Sequence, residues 1–439
     1  KYDAPPRHTR GAFLFRTVYG RVRKHTMREI HYLIIGGGIA GTTAAETIRR
    51  IDRTRPVAII SKESYPLYSR IALSKPNFFL EKMPADSIWL KTKEWYEKEG
   101  IALVIGAATA VNIKKKTLTL QTGEVFSFQK LLLATGAVPK QWSLAGSTLP
   151  GVFRMQTIDD AAGIIETAKR STSAAIVGGG FIAFEMCDML RLRGLTVTLI
   201  MRDERFWTPT LDETAGRIIE KAMEKAGIII LREKEVREIT GDSTVRGITL
   251  ISGEKIQADL VITGIGVAPD IKWLASSGIS FKKGIVTNEY LETSAPDIWA
   301  AGDSAEFLDV YAGRPLVQGN WVNAQMQGMA AGKSMAGERT EFRMVSSYAT
   351  TGFGVSLVFA GDIKGDEGRE ILRRGSYESD SYAEIIIENE KIAGAILINK
   401  TAELAPLSAL IRAQRPITDH RDDLRNPNFE LKKLIVSNP

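Results

Sequence analysis

Three consecutive glycines, Gly36-Gly37-Gly38, follow the apolar run His31-Tyr32-Leu33-Ile34-Ile35 and lead through Ile39-Ala40-Gly41 into Thr42-Thr43-Ala44-Ala45-Glu46. Strand, tight glycine turn and helix start together form a phosphate cradle. At Gly36, Gly38 and Gly41 the missing Cβ lets the backbone come within contact distance of a pyrophosphate. The helix dipole and its free N–H groups then face the anion. One such turn is also explained as a plain sharp turn. Here it recurs: Ala174-Ala175-Ile176-Val177 runs into Gly178-Gly179-Gly180 and Phe181-Ile182-Ala183, making Gly178 and Gly180 candidates for a second cradle. Two dinucleotide sites in one chain imply two different dinucleotides and electron transfer between them.

The other residues capable of chemistry narrow the class. Cys187 is the only cysteine among 439 residues, which excludes a disulfide framework, a cysteine metal cluster and a dithiol redox pair. It falls in the helix after the second glycine turn and reads as a small core residue. The four histidines, His8, His25, His31 and His420, make no paired catalytic arrangement, and no metal site is expected. Residues 1–26 carry seven of the basic side chains and one acid, Asp3, a net of +6 out of the chain's +7. The remainder is nearly neutral, so no nucleic-acid partner is expected. No apolar run reaches the roughly 18 residues that span a bilayer. A cytoplasmic enzyme is the simpler expectation.

The elements that must position these residues alternate. Strands are expected at Val57-Ala58-Ile59-Ile60, 101–105, 117–120 and 130–136, with a polar, mostly helical stretch from Leu80 to Gly100. After a turn-rich linker at 141–150 a second unit follows, with strands at 174–177, 196–200, 228–231 and 259–262 and helices at 181–193 and about 211–226. Such alternation with short apolar strands indicates doubly wound parallel sheets. Beyond Glu341 the pattern changes to short strands at 354–360, 383–387 and 391–397, with one helix near 404–413. The expected fold is α/β: two Rossmann-like dinucleotide-binding domains and a small α+β C-terminal domain. The expected boundaries are a basic extension at 1–26, a first domain from 27–146 and 265–340, an inserted second domain at 147–264, and the last at 341–439.

Further motifs stand in a fixed order. Ala134-Thr135-Gly136 follows the first glycine turn; after the second come Gly264-Ile265-Gly266-Val267-Ala268-Pro269-Asp270 and Ile298-Trp299-Ala300-Ala301-Gly302-Asp303. This order resembles the FAD-dependent pyridine nucleotide-disulfide oxidoreductase family over nearly all of residues 29–400. Tyr68-Ser69-Arg70-Ile71-Ala72-Leu73-Ser74-Lys75 puts Ser69 where thiol-dependent branches carry a redox cysteine. The stretch instead looks like the rubredoxin-, ferredoxin- and nitrite-reductase branch without redox cysteines.

That resemblance implies FAD as resident cofactor and NADH or NADPH as co-substrate, the NAD(P)H domain being inserted in the FAD domain. It implies that Ala134, Thr135, Gly136, Gly266 and Asp303 lie along the cofactors, Asp303 on the ribityl chain; as a helix N-cap Asp303 would be explained equally. Arg70 would contact FAD, and Lys75 would lie near flavin N5, where its ammonium favours negative charge on reduced flavin. At about 4 Å and an effective dielectric of about 20 the gross attraction is about 4 kcal/mol before desolvation. A plain surface lysine is the alternative. Glu185 matches a glutamate that pairs with that lysine, making Lys75 and Glu185 the candidate catalytic residues; helix-dipole complementarity would also account for Glu185. Trp321 and Gln325 fall in a segment, 319–328, that brings a helix N-terminus to the flavin, and Phe353 is a candidate to cover its face.

Glu63 is the nearest acid for the FAD ribose. After the strand 196–200 stands Met201 where NAD-preferring members carry an acid, followed by Arg202, which with Arg205 resembles a 2′-phosphate clamp. A solvated loop neutralised by Asp203 and Glu204 is the other reading. The expected activity is transfer of electrons from NAD(P)H through FAD to an external acceptor, a small rubredoxin- or ferredoxin-like protein or a redox subunit. An NAD(P)H oxidase or quinone reductase, and a redox-signalling protein of apoptosis-inducing-factor type, are the alternatives; a homodimer is left open.

Overall fold

In a computed structural model, residues 28–365 and 368–436 are described. The basic extension expected at 1–26 lies outside them. The strand Arg28–Ile35 sits in a seven-stranded sheet between Val57–Ser61 and Val125–Leu133, parallel to both, with Ile101–Ile105 beyond Val57–Ser61. Leu33 and Ile34 have no exposed surface, although they point to opposite faces. Burial on both faces is why the run reads as continuously apolar. The late strand Ile298–Ala300 pairs parallel with Val125–Leu133, so the chain returns to its first sheet after a long excursion.

Helix Ile39–Ile51 packs against helix Trp321–Met335 through backbone. A Cβ on Gly328 would stand 2.2 Å from the Ala40 carbonyl oxygen, and one on Gly332 2.8 Å from that of Ala44. Small residues at this crossing bring the N-terminal turns of both helices to one side of the sheet.

The excursion forms a second sheet, all parallel, in the order Ile229–Leu231, Thr196–Ile200, Ser173–Val177, Leu260–Thr263, Val152–Phe153. The outgoing and returning connections, Ala137–Pro139 and Val267–Pro269, run antiparallel side by side. An antiparallel three-stranded sheet over Val236–Thr240, Gly247–Leu250 and Lys255–Gln257 was not expected from the sequence, its polar alternation being short and turn-rich. The stretch from Leu80 to Gly100, expected to be mostly helical, holds only a 3-10 turn, Ala85–Ile88, and a short helix, Lys93–Lys98, capped by Thr92. Pro84 holds extended backbone in mid-stretch, and Trp89 is drawn into a bridge with Tyr68.

The last sheet is antiparallel: Ser347–Gly352, Val355–Gly361, Lys391–Ile398, Ser381–Glu388 and Glu370–Ser376, backed by helix Leu404–Ala413. Its other face shares one apolar core with the inserted unit, joining Leu357, Phe359 and Ile386 to Phe184, Phe206 and Leu211. At this seam Asp212 caps helix Glu213–Lys225 and accepts from Arg373 at 2.8 Å and Tyr382 at 2.6 Å, while its own N–H donates to Glu384 at 3.3 Å. Burial, followed by the Asp212 charge, pushes the Glu384 carboxyl up to about 7. The fold therefore prefers Glu384 protonated, and stability is lost as pH rises from the ordinary carboxylate range through about 7. Glu384→Gln is expected to remove a decline on the order of 3 kcal/mol between pH 5 and 8.5, measured by urea unfolding. An unchanged pH dependence would remove Glu384 as its cause.

Candidate active site

Strand Arg28–Ile35 delivers the chain to Gly36, which takes φ +118°; a Cβ there would lie 1.9 Å from the Ala134 carbonyl oxygen. A Cβ on Gly41 would lie 2.0 Å from the oxygen of Gly36. Both glycines are thus required by contact with backbone. Gly38 precedes helix Ile39–Ile51 and has open space where its Cβ would be. This helix start opens on a cleft of about 500 Å³, toward which the first N–H groups of a helix, having no intrahelical acceptor, are available.

The returning chain also contributes to the cleft. Asp303, in the 3-10 turn Gly302–Ser304 after strand Ile298–Ala300, lines it, and so do Ala134, Thr135 and Gly136. Burial raises the Asp303 carboxyl above its usual range, opposed by the Arg70 charge. Its carboxylate has no side-chain hydrogen bond among the described residues. The turn is pinned by Gln327, whose Oε1 accepts the Gly302 N–H at 2.7 Å. Trp321 lines the cleft from the helix start capped by Asn320. Gln325 lies on the same helix, half-buried, outside the lining.

Glu63 also lines the cleft, but both its oxygens are engaged, one by Arg70 and the other by Tyr68 at 2.6 Å. Arg70 further donates to the Gln156 carbonyl at 2.7 Å. These contacts fix the guanidinium beside the cleft rather than leaving it solvated.

The second turn is built like the first. Gly178 takes φ +128°, a Cβ there would lie 2.2 Å from the Gly264 oxygen, and Gly180 opens at the start of helix Phe181–Leu192. Gly266, with φ +96°, stands beside Lys140 outside the cleft lining. Met201 is buried, its Sδ 3.5 Å from where a Gly179 Cβ would sit, so the position at the strand end is apolar. Arg202 is 78% exposed and 3.6 Å from Asp203, while Arg205 pairs with Glu204 at 2.5 Å. Both acids thus stand beside the two arginines.

One turn into helix Phe181–Leu192, Glu185 is 5% exposed, yet it lines the cleft made by the first unit. The Lys75 ammonium stands 2.6 Å from Glu185 Oε1. Ser74 donates to Oε2, and Thr350 donates to Oε1 at 2.6 Å. Lys75 also lies 3.3 Å from the Thr350 hydroxyl and reaches the cleft through Glu185 rather than lining it directly.

Ser74, Thr350 and Tyr348 were not identified from the sequence. Tyr348 lines the cleft and Thr350 is buried, two positions apart on strand Ser347–Gly352. The period-two spacing of Tyr348 and Thr350 was the available signal. Phe353 packs against Phe184, ring centroids 5.4 Å apart, and does not line the cleft; Tyr348 stands there instead. Cys187 is fully buried, and burial pushes its thiol far above the ordinary range, so it offers no thiolate.

Two glycine turns of the same build thus stand on two parallel sheets, and the helix that follows the second carries Glu185 into the cleft at the first. Residues 30–328 match the pyridine nucleotide-disulphide oxidoreductase family, and residues 351–415 match the rubredoxin NAD+ reductase C-terminal domain. The chain belongs to the pyridine nucleotide-disulphide oxidoreductase family. It is 29% identical over 394 residues to a Bacillus subtilis nitrite reductase [NAD(P)H], covering 88% of this chain and 48% of that protein. It is 28% identical over 374 residues to the NADH-rubredoxin oxidoreductase of Clostridium acetobutylicum, covering 85% of this chain and 92% of that one. A ferredoxin reductase structure from Rhodopseudomonas palustris superimposes with a TM-score of 0.85 at 23% identity, covering 92% of this chain and all of that one. The chain spans about half the length of the two Bacillus subtilis relatives it matches. No helix among the described residues is long and apolar enough to cross a membrane.

Proposed function

We propose that the chain holds FAD in the first cleft, takes NADH or NADPH on the Gly178–Gly180 turn, and passes the electrons to a small rubredoxin- or ferredoxin-like protein or a redox subunit. The observation that carries this reading is Glu185: it stands on the helix that starts at the second glycine turn, and its carboxylate lines the cleft of the first. A dinucleotide on each turn would therefore meet beside it. FAD fits the residues present. The glycine turn admits backbone contact, the helix start supplies donors for its pyrophosphate, and Asp303 offers a carboxylate without a side-chain donor to its hydroxyls. The relatives named as rubredoxin and ferredoxin reductases support the choice of acceptor.

When bound, FAD supplies two-electron acceptance from a nicotinamide and one-electron release to a protein acceptor. The chain's own residues bind and orient. The glycine turns fix the register of each nucleotide, and this positioning carries most of the rate. Lys75 places positive charge beside the cleft, favouring negative charge that arrives with the electrons, and Glu185 holds its ammonium in place. Residues 27–146 with 265–340 form the FAD unit, 147–264 the NAD(P)H unit and 341–439 the C-terminal unit. The paired connections Ala137–Pro139 and Val267–Pro269 support this division. The Met201-Arg202 pair supports NADPH over NADH, because an apolar residue rather than an acid stands directly at the strand end, where a ribose diol would be held. Anaerobic stopped-flow reduction with each nucleotide, followed by mixing with a one-electron protein acceptor, tests the activity. Arg202→Glu is expected to lower the NADPH/NADH ratio of kcat/KM about tenfold. An unchanged ratio would remove Arg202 from cofactor choice.

A further inference from the structure

The C-terminal sheet supplies part of the polar cluster at the cleft. Strand Ser347–Gly352 lies directly on the helix that carries Glu185: a Cβ on Gly352 would stand 2.7 Å from the Phe184 ring, so only glycine permits this approach. Tyr348 and Thr350 share that inward face. The Thr350 hydroxyl does two things at once, donating to Glu185 at 2.6 Å and standing 3.3 Å from the Lys75 ammonium, which donates to it. The Tyr348 ring packs on Phe181, centroids 3.8 Å apart, at the first residue of the same helix. Burial, then the nearby Glu185 carboxylate, raises the Tyr348 hydroxyl far above its ordinary range.

We propose that Thr350 is the positioning residue through which the C-terminal sheet sets the Glu185 carboxylate, and with it the Lys75 ammonium, at the edge of the cleft. The inference rests on the reading of the cleft as the FAD site. A buried carboxylate needs its lone pairs satisfied. Ser74, Lys75 and Thr350 share Glu185, and the charged groups facing it are Lys75 from the first unit and Asp188 one turn further along its own helix, with Tyr348 from the last sheet. Hydroxyl donors carry part of the carboxylate's charge, so the ammonium keeps a net positive field toward the cleft. Remove the Thr350 hydroxyl, and more of the Glu185 charge is left to cancel the ammonium's field at the cleft.

The experiment compares holoprotein carrying Thr350→Val or Thr350→Ser with the parent chain. Three quantities are measured: the midpoint potential of the bound flavin, the rate of its reduction by NAD(P)H, and the melting temperature of the apoprotein. Thr350→Val is expected to make the potential more negative and to slow reduction about tenfold, with nucleotide KM within twofold of the parent. Thr350→Ser restores the hydroxyl and is expected to return potential and rate to within twofold of the parent values. A melting temperature that falls while the potential stays fixed would show a packing role only and overturn the proposal. Thr350→Ser behaving like Thr350→Val would overturn it equally. Parent protein that binds no flavin would instead remove the FAD reading on which the proposal rests.

Discussion

Gly178→Ala yields a yellow protein whose flavin is bleached by dithionite but not by NAD(P)H. The new methyl group would meet the Gly264 carbonyl oxygen at 2.2 Å, at φ +128°, so the second turn must open and its amides move from where we propose the pyrophosphate binds. Left-handed backbone costs an alanine about 1–2 kcal/mol, and the overlap adds to this. The damage stays local, because the 2.2 Å contact joins two loops of the second sheet. A loss of kcat/KM above 100-fold is expected, with flavin content near one per chain. Gly36→Ala places its methyl 1.9 Å from the Ala134 oxygen, and the expected product is colourless. Circular dichroism and melting curves establish that each variant is folded. The contrast between the two variants carries the prediction. Equal loss of flavin in both would mean that the two turns do not serve separate nucleotides.

Lys75→Ala has the second large effect, and it divides into two parts. Glu185, 5% exposed, would lose the ammonium that stands 2.6 Å away, leaving Ser74 and Thr350 as its donors. An uncompensated buried charge costs about 3–5 kcal/mol; the two hydroxyls and the partial exposure of Lys75 place the expected loss of stability at the lower end. The same substitution removes positive charge from the cleft edge, so the flavin potential falls and reduction by NAD(P)H slows about 100-fold. Lys75→Ala combined with Glu185→Gln separates the parts. Stability measured in urea recovers because no bare carboxylate remains, while the slow reduction persists. Recovery of the rate in the double variant would show that Lys75 serves only to neutralise Glu185.

Much of this is legible in the sequence. The glycine runs declared themselves because a strand, a turn that excludes Cβ and a helix start must be contiguous in sequence; Gly36 and Gly178 take the positive φ that this reading requires. Lys75 and Glu185, 110 positions apart, were joined by resemblance alone, and the fold brings them together. Tyr348 and Thr350 stayed hidden because a six-residue strand of mostly small and hydroxyl side chains carries little hydrophobic signal. The stretch from Leu80 to Gly100 misled because polar composition was read without regard to Pro84, which breaks it. The seam of Asp212 and Glu384 is tertiary in origin: neither acid is unusual within its own element, and only docking of the last sheet buries one beside the other.

The central claim is that electrons pass between two nucleotides with no sulfur between them, Cys187 being alone and sealed in the core. Anaerobic titration of the flavin-loaded protein with NAD(P)H tests it most directly, since the number of equivalents counts the electrons each chain accepts. The account predicts complete bleaching at one equivalent per flavin. A requirement for two equivalents, or no bleaching with either nucleotide, would contradict it.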